Sequence, residues 1–207
     1  MGFLLNWSSA RSIPRTNRLV MQAQAPKHHR RSMRLKGYDY SWVGWYYVTI
    51  CTKDGERTLG KIVGEAMVPS KAGTIIEECW QGLPKHFPSV ELGEHVVMPN
   101  HFHGIVIIND TRRGLINQTP TTKEWQMMKT SDITLGKIVR HFKARATKTI
   151  HDIGLAGFQW QRNYYEHIVR NDADLHRIRT YIQNNPLQWA LDEENPENNQ
   201  AEQSAVR

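Results

Sequence analysis

The order of strand-like and helix-like stretches constrains this chain most. Residues 45–53 (WYYVTICTK) are aromatic and β-branched, which predicts a strand ended by Gly55. A short strand or turn follows at 59–67. Pro69 and Gly73 then precede a helix at about 74–83, with Ile75, Ile76, Cys79 and Leu83 on one side and Pro84 and Pro88 behind it. Residues 90–97 read as a strand and 104–108 (GIVII) as a buried one, with Pro99 marking the turn between them. After a polar, turn-rich stretch at 109–131, read as an insertion loop, Asp132 caps a helix over 133–151. Residues 158–170 predict a further aromatic strand, and Asp172 or Asp174 opens a helix to about residue 185, stopped by Pro186.

The resulting order is β-α-β-β-α-β followed by one more helix. This is the ferredoxin-like (RRM-like) α+β pattern: an antiparallel sheet with two packed helices, here extended by a C-terminal helix that carries a tyrosine. The length of 207 residues suits one such domain, over 38–190, with decorated ends. It is too short for a (β/α)₈ barrel of roughly 250 residues. Two cysteines with no CxxC spacing exclude a disulfide scaffold and a Cys-rich zinc site. No apolar run reaches the roughly 20 residues of a membrane span. Met1-Gly2-Phe3-Leu4-Leu5 is too short for a signal peptide core, Asn6 departs from a myristoylation motif, and Met21 or Met33 is an alternative start. The expected compartment is the cytoplasm, with no membrane partner.

The net charge of +7 is unevenly spread. Residues 1–37 form a basic arm without acids, containing Arg30, Arg31 and Arg34. Residues 191–207 form an acidic tail rich in Asn, Glu and Gln, expected to be disordered, as is the arm. The arm is either a solvated tail or a nucleic-acid-binding segment. The helix at 133–151 contains no acid. Leu135, Ile138, Val139, Phe142, Ala146 and Ile150 fall on one arc, and Lys137, Arg140, His141, Arg145 and Lys148 fall opposite. A one-sign face of this length points to nucleic-acid backbone.

His101 and His103 stand two apart around Phe102. On a strand, both imidazoles leave one face and Phe102 the other. Such a pair holds a divalent metal with open positions, or is simply two histidines at a strand entrance. Tyr181 and Asn185, at i and i+4, share a helix face, as nucleophile and oxygen ligand or as packing residues. Glu166 and His167 read equally as packing groups or as support for a metal site. Trp160 and Trp189 read as core residues ahead of base-stacking platforms.

The combination is specific. MPNHFHGIVII resembles the metal-binding strand of the HUH single-tyrosine transposases. WQRNYYEH at 160–167 and YIQNNPLQW at 181–189 resemble their downstream block, and RRSMRLKGYDY extends the likeness, which covers 31–189. The group matched best is the REP-associated tyrosine transposases. The resemblance implies that His101 and His103 bind Mg²⁺ or Mn²⁺, with Asn185 at the position of a polar third ligand that is often Gln in relatives. It implies that Tyr181 attacks single-stranded DNA to leave a 5′-phosphotyrosine and a free 3′-OH, without ATP. Tyr164 and Tyr165 match a different block and are given no nucleophilic role. Relatives recognise imperfect hairpins and occur as monomers or homodimers. The candidates for holding that DNA are Arg30, Arg31 and Arg34 of the arm and Lys137, Arg140, Arg145 and Lys148 of the helix. The implied setting is the nucleoid.

Two other classes fit parts of the pattern. A catalytically silent or domesticated protein would bind single-stranded DNA or RNA on the same fold, although no RNP1-like run is present. A metal-dependent hydrolase would use His101 and His103 and dispense with Tyr181.

Overall fold

The strands and helices follow the predicted order. The computed structural model describes residues 37–109, 133–192 and 194–195, all within the unit Met33–Arg207. Strand β1 (Gly44–Cys51) is followed by a small hairpin of β2 (Gly60–Val63) and β3 (Ala66–Pro69). Helix α1 (Lys71–Gln81) and a short α2 (Leu83–His86) lead to β4 (Val90–Val97) and β5 (His101–Ile108). Helix α3 (Leu135–Asp152), β6 (Tyr165–Ile168) and helix α4 (Asp172–Asn184) complete the domain. The main sheet has the order β4-β5-β1-β6 and is antiparallel throughout, which is the ferredoxin-like arrangement.

Period-2 alternation gives the sheet two different faces. Tyr46, Val48 and Ile50 of β1 join Phe102, Val106 and Ile108 of β5 in one core, sealed by Ile76 and Trp80 of α1 and by Ile138 and Phe142 of α3. Trp45, Ile105 and Ile107 point the other way and pack under Leu175, Ile178 and Ile182 of α4. Gly104 belongs to the first face because Trp80 lies over it. A Cβ there would stand 2.5 Å from Trp80 Cζ2 and 2.8 Å from Phe102 Cε1.

Several boundaries differ from expectation for local reasons. Helix α1 starts at Lys71 rather than near 74, because Ser70 caps it by accepting from the Gly73 amide. Gly73 is therefore no breaker; it sits in the first turn, where a Cβ would stand 2.1 Å from Leu59 O. Thr134 caps α3, accepting from Lys137 N at 3.2 Å; Asp132, the expected cap, lies outside the described residues. Asn171 caps α4, and Asp172 and Asp174 occupy its first turn, where carboxylates favour the helix dipole. The predicted strand at 158–170 forms over Tyr165–Ile168, preceded by an isolated antiparallel bridge of Trp160 to Thr52. Phe158 and Trp160 instead join the α3-side core, and the carbonyls of Gln161, Arg162 and Asn163 turn to the Lys143 ammonium.

The expected basic arm, but for Gly37, lies outside the described residues, as do 110–131 of the insertion loop and most of the acidic tail. The tail's first residues are folded: Asp192 and Asn195 are buried. Their charge and composition grouped them with a solvated tail, whereas their hydrogen bonds hold them against the domain.

Candidate metal–tyrosine site

The site is built where the α4 face of the sheet turns polar. Along β5, Ile107 and Ile105 continue the apolar row, and His103 and His101 end it. Both histidines are essentially fully buried, with ring centroids 4.5 Å apart. Phe102 points into the opposite core, as the alternation requires.

Each imidazole is oriented through Nδ1. Asn100 Oδ1 lies 2.9 Å from His101 Nδ1, and Asn100 is itself fixed because its Nδ2 donates to Glu194 O at 2.6 Å and Gly55 O at 3.3 Å. With the amide so oriented, His101 Nδ1–H donates, and the lone pair resides on Nε2. His103 Nδ1 lies 2.7 Å from Tyr47 Oη and 2.9 Å from Thr49 Oγ1. The Nε2 atoms of both histidines and Oδ1 of Asn185 are buried without a hydrogen-bond partner. Three such atoms in one place is an unusual concentration, since buried polar atoms are normally paired.

Asp192 completes the group. Its carboxylate and the two imidazoles bring ligand atoms within 4.8 Å of one another. Asn185 Nδ2 donates to Asp192 Oδ2 at 3.0 Å, and Glu194 N donates to Oδ1 at 2.8 Å. Burial pushes the His101 pKa down to about 4, with Asp192 and Asn185 acting in the opposite sense. Burial and the neighbouring His101 also hold His103 well below its usual range. Both imidazoles are therefore neutral at pH 7 and offer lone pairs. Two nitrogens with a carboxylate and an amide oxygen form an N/O donor set that fits a divalent metal ion.

Tyr181 stands beside this group. Its ring centroid is 5.3 Å from that of His103 and 6.4 Å from that of Tyr47, and the residue is 41% exposed. Asn185 follows α4 with helical φ and ψ, so both side chains leave the same stretch of helix. The four residues expected from the sequence, His101, His103, Tyr181 and Asn185, thus come together.

The DNA-binding candidates do not. Lys137, Arg140, Arg145 and Lys148 are exposed on α3, on the far side of the sheet from the histidines. Arg145 donates to His86 Nε2, and Lys148 pairs with Asp152 at 2.6 Å. Arg30, Arg31 and Arg34 lie outside the described residues. His167 bonds to Asp174 Oδ2 at 2.7 Å, which ties β6 to the first turn of α4. Trp160 is core, whereas Trp189 lies 6.0 Å from His101 with the Arg57 guanidinium over its ring.

Sequence reasoning missed Tyr47, Thr49, Asn100 and Asp192. For Tyr47 and Thr49 a signal existed: alternation places them on the same face of β1, directly beside β5. Burial pushes the Tyr47 phenol up, which keeps it protonated as a hydrogen-bonding group.

No family model matches the chain. An uncharacterized protein of Haemophilus influenzae is 41% identical over 167 residues, covering 80% of this chain and 93% of that protein. Among solved structures, a REP-associated tyrosine transposase bound to a REP hairpin superposes with a TM-score of 0.50 at 20% identity, over 75% of this chain and 73% of that one. A putative transposase from Deinococcus radiodurans R1 gives a TM-score of 0.39 at 16% identity, over 73% of this chain and 97% of that one. The chain belongs to one family with the Haemophilus influenzae protein, and its fold is that of the REP-associated tyrosine transposase.

Proposed function

We propose that the chain is a metal-dependent transposase that cuts and rejoins single-stranded DNA through Tyr181. The observation that supports this most is the convergence of two unpartnered imidazole Nε2 atoms and Asn185 Oδ1 beside an exposed tyrosine. His101, His103 and Asp192 would hold the ion, with Asn185 Oδ1 as a further oxygen ligand. A divalent ion bound there neutralises charge on the scissile phosphate.

A phenol has a pKa near 10, so Tyr181 is a weak nucleophile unaided. Its placement supplies what the residues themselves contribute. The ring stands against His103, and α4 fixes its approach to any phosphate at the histidine pair. Attack by Oη on phosphorus forms the O–P bond and breaks the bond to the 3′ oxygen. The phenolic proton leaves to solvent, and the departing oxygen takes one up as a 3′-OH. The phosphodiester energy is kept in the phosphotyrosine, so a 3′-OH reverses the step without ATP. Tyr181 stands against His103 of its own chain, which favours action in cis by a monomer, or by each subunit of a homodimer.

The likeness of fold supports a substrate reading. The structural neighbour is bound to a REP hairpin. Here Lys137, Arg140, Arg145 and Lys148 would contact the backbone of a hairpin stem, and Arg30, Arg31 and Arg34 would supply separate DNA contacts from the arm. Its single-stranded flank would cross a sheet edge to Tyr181. The working environment would be the nucleoid; no helix among the described residues is long and apolar enough to cross a membrane. The test is cleavage of hairpin-bearing single-stranded DNA in Mn²⁺. His101→Ala should abolish cleavage and retain most of the binding. Equal loss of both would assign His101 to the fold instead.

A further inference from the structure

Consecutive tyrosines in the segment QRNYYEH part company in the fold. Tyr164 packs against the core on the α3 side. Tyr165 opens β6, and its backbone pairs with Thr49, which in turn pairs with His103. In an antiparallel sheet, directly paired residues point to the same face. His103, Thr49 and Tyr165 therefore form one row across three strands on the face that carries the metal–tyrosine site. Thr49 Oγ1, in the middle of the row, lies 2.9 Å from His103 Nδ1. With neighbouring strands about 4.8 Å apart, the Tyr165 backbone stands roughly 10 Å from that of His103.

Helix α4 does not cover this end of the row. His167 and Asp174 tie its first turn to β6, whereas Arg179 further along pairs with Glu94 of β4. The helix thus crosses the sheet obliquely and leaves β6 behind as it reaches Tyr181. Tyr165 remains 43% exposed and Tyr181 41% exposed, two aromatic rings open to solvent on one side of the site. The approach to Tyr165 is held in place: the Lys143 ammonium gathers the carbonyls of Gln161, Arg162 and Asn163, immediately before β6.

We propose that Tyr165 is a stacking platform for a base of the single strand entering the site, a neighbour of the nucleotide whose phosphate meets Tyr181. Every base offers a π-face, so such a contact orients the strand without reading its sequence. The phenol ring supplies the contact, and its hydroxyl is not required. This inference rests on the single-stranded DNA reading above, and its test separates the two.

The probes are an oligothymidylate of roughly 15 nucleotides, within the usual span of single-strand sites, and an all-abasic strand of equal length. They share phosphates and differ in bases. Affinities are measured by anisotropy on the full chain carrying Tyr181→Phe, so that no strand is cut. Adding Tyr165→Ala should weaken oligothymidylate binding by on the order of tenfold and leave abasic binding unchanged. Tyr165→Phe should match the parent on both probes. Equal weakening on both probes, or none on either, overturns the platform. If the base-dependent loss appears but the chain with Tyr181 intact never forms a covalent DNA adduct, the platform stands and the transposase reading fails. If the adduct forms and Tyr165→Ala is silent, the reverse holds.

Discussion

Helices α3 and α4 cover opposite faces of one sheet and differ in almost every respect. Helix α3 seals its face: Leu135, Ile138, Phe142 and Ala146 are all fully buried. Its outer side is basic, with no acid before Asp152. Helix α4 puts its acids in the first turn, crosses its face obliquely and leaves Tyr181 exposed. Its far end delivers Asn185 to two buried imidazoles. The contrast separates two requirements. Holding a polyanion needs accessible like charges, which any solvated helix face can present. Transferring a phosphoryl group needs a nucleophile in fixed contact with the group that orients its target, which a sheet face and one helix can enforce.

Substitutions on the α4 face should have the largest effect. His103→Ala should lower strand cleavage by well over 100-fold, since even loss of an orienting partner costs about 10- to 100-fold in a metal site. Lys137→Gln with Arg140→Gln should leave cleavage at saturating DNA unchanged. If the helix α3 pair instead abolishes turnover at saturation, charge and chemistry are not separated as described.

Stability should respond in the opposite pattern. Phe142→Ala should destabilise the domain by about 3–5 kcal/mol, read from urea unfolding. Tyr181→Phe, at an exposed position, should stay within about 0.5 kcal/mol of the parent. A large loss from Tyr181→Phe would make that residue part of the core rather than a nucleophile.

A smaller effect sharpens the site itself. Asn100→Ala removes the acceptor that fixes the His101 tautomer and should weaken Mn²⁺ binding by about 10- to 100-fold in a calorimetric titration. The smallest effect returns to α3. Lys137→Gln and Arg140→Gln together should reduce affinity for hairpin DNA modestly and flatten the log–log salt dependence by about 0.9 for each charge removed. An unchanged slope would mean that DNA does not touch this face.

Much of this was legible from local pattern. Period-2 alternation placed His101 and His103 on one face with Phe102 behind, and the i, i+4 rule joined Tyr181 to Asn185. What escaped was set by contacts distant in sequence. Asn100 acquires its role only because Gly55 O and Glu194 O hold its amide. Asp192 reads as one acid among several in a polar tail, and nothing local says that Asn185 and the Glu194 amide bind it at the histidines. The strand predicted over 158–170 shortened for a similar reason. Phe158 and Trp160 satisfy the α3-side core, and Lys143 draws the next carbonyls out of the ladder. Tyr47 was reachable, because the alternation that aligned the histidines also aligns Tyr47 and Thr49 across from them.

The central claim is that Tyr181 is the nucleophile of a metal-dependent strand transfer. Its most direct measurement is a denaturing gel of the full chain incubated with hairpin-bearing single-stranded DNA and Mn²⁺. A covalent protein–DNA band should appear, vanish on chelation, and be absent from Tyr181→Phe protein that still binds the same DNA. A band of undiminished intensity from Tyr181→Phe would contradict the account.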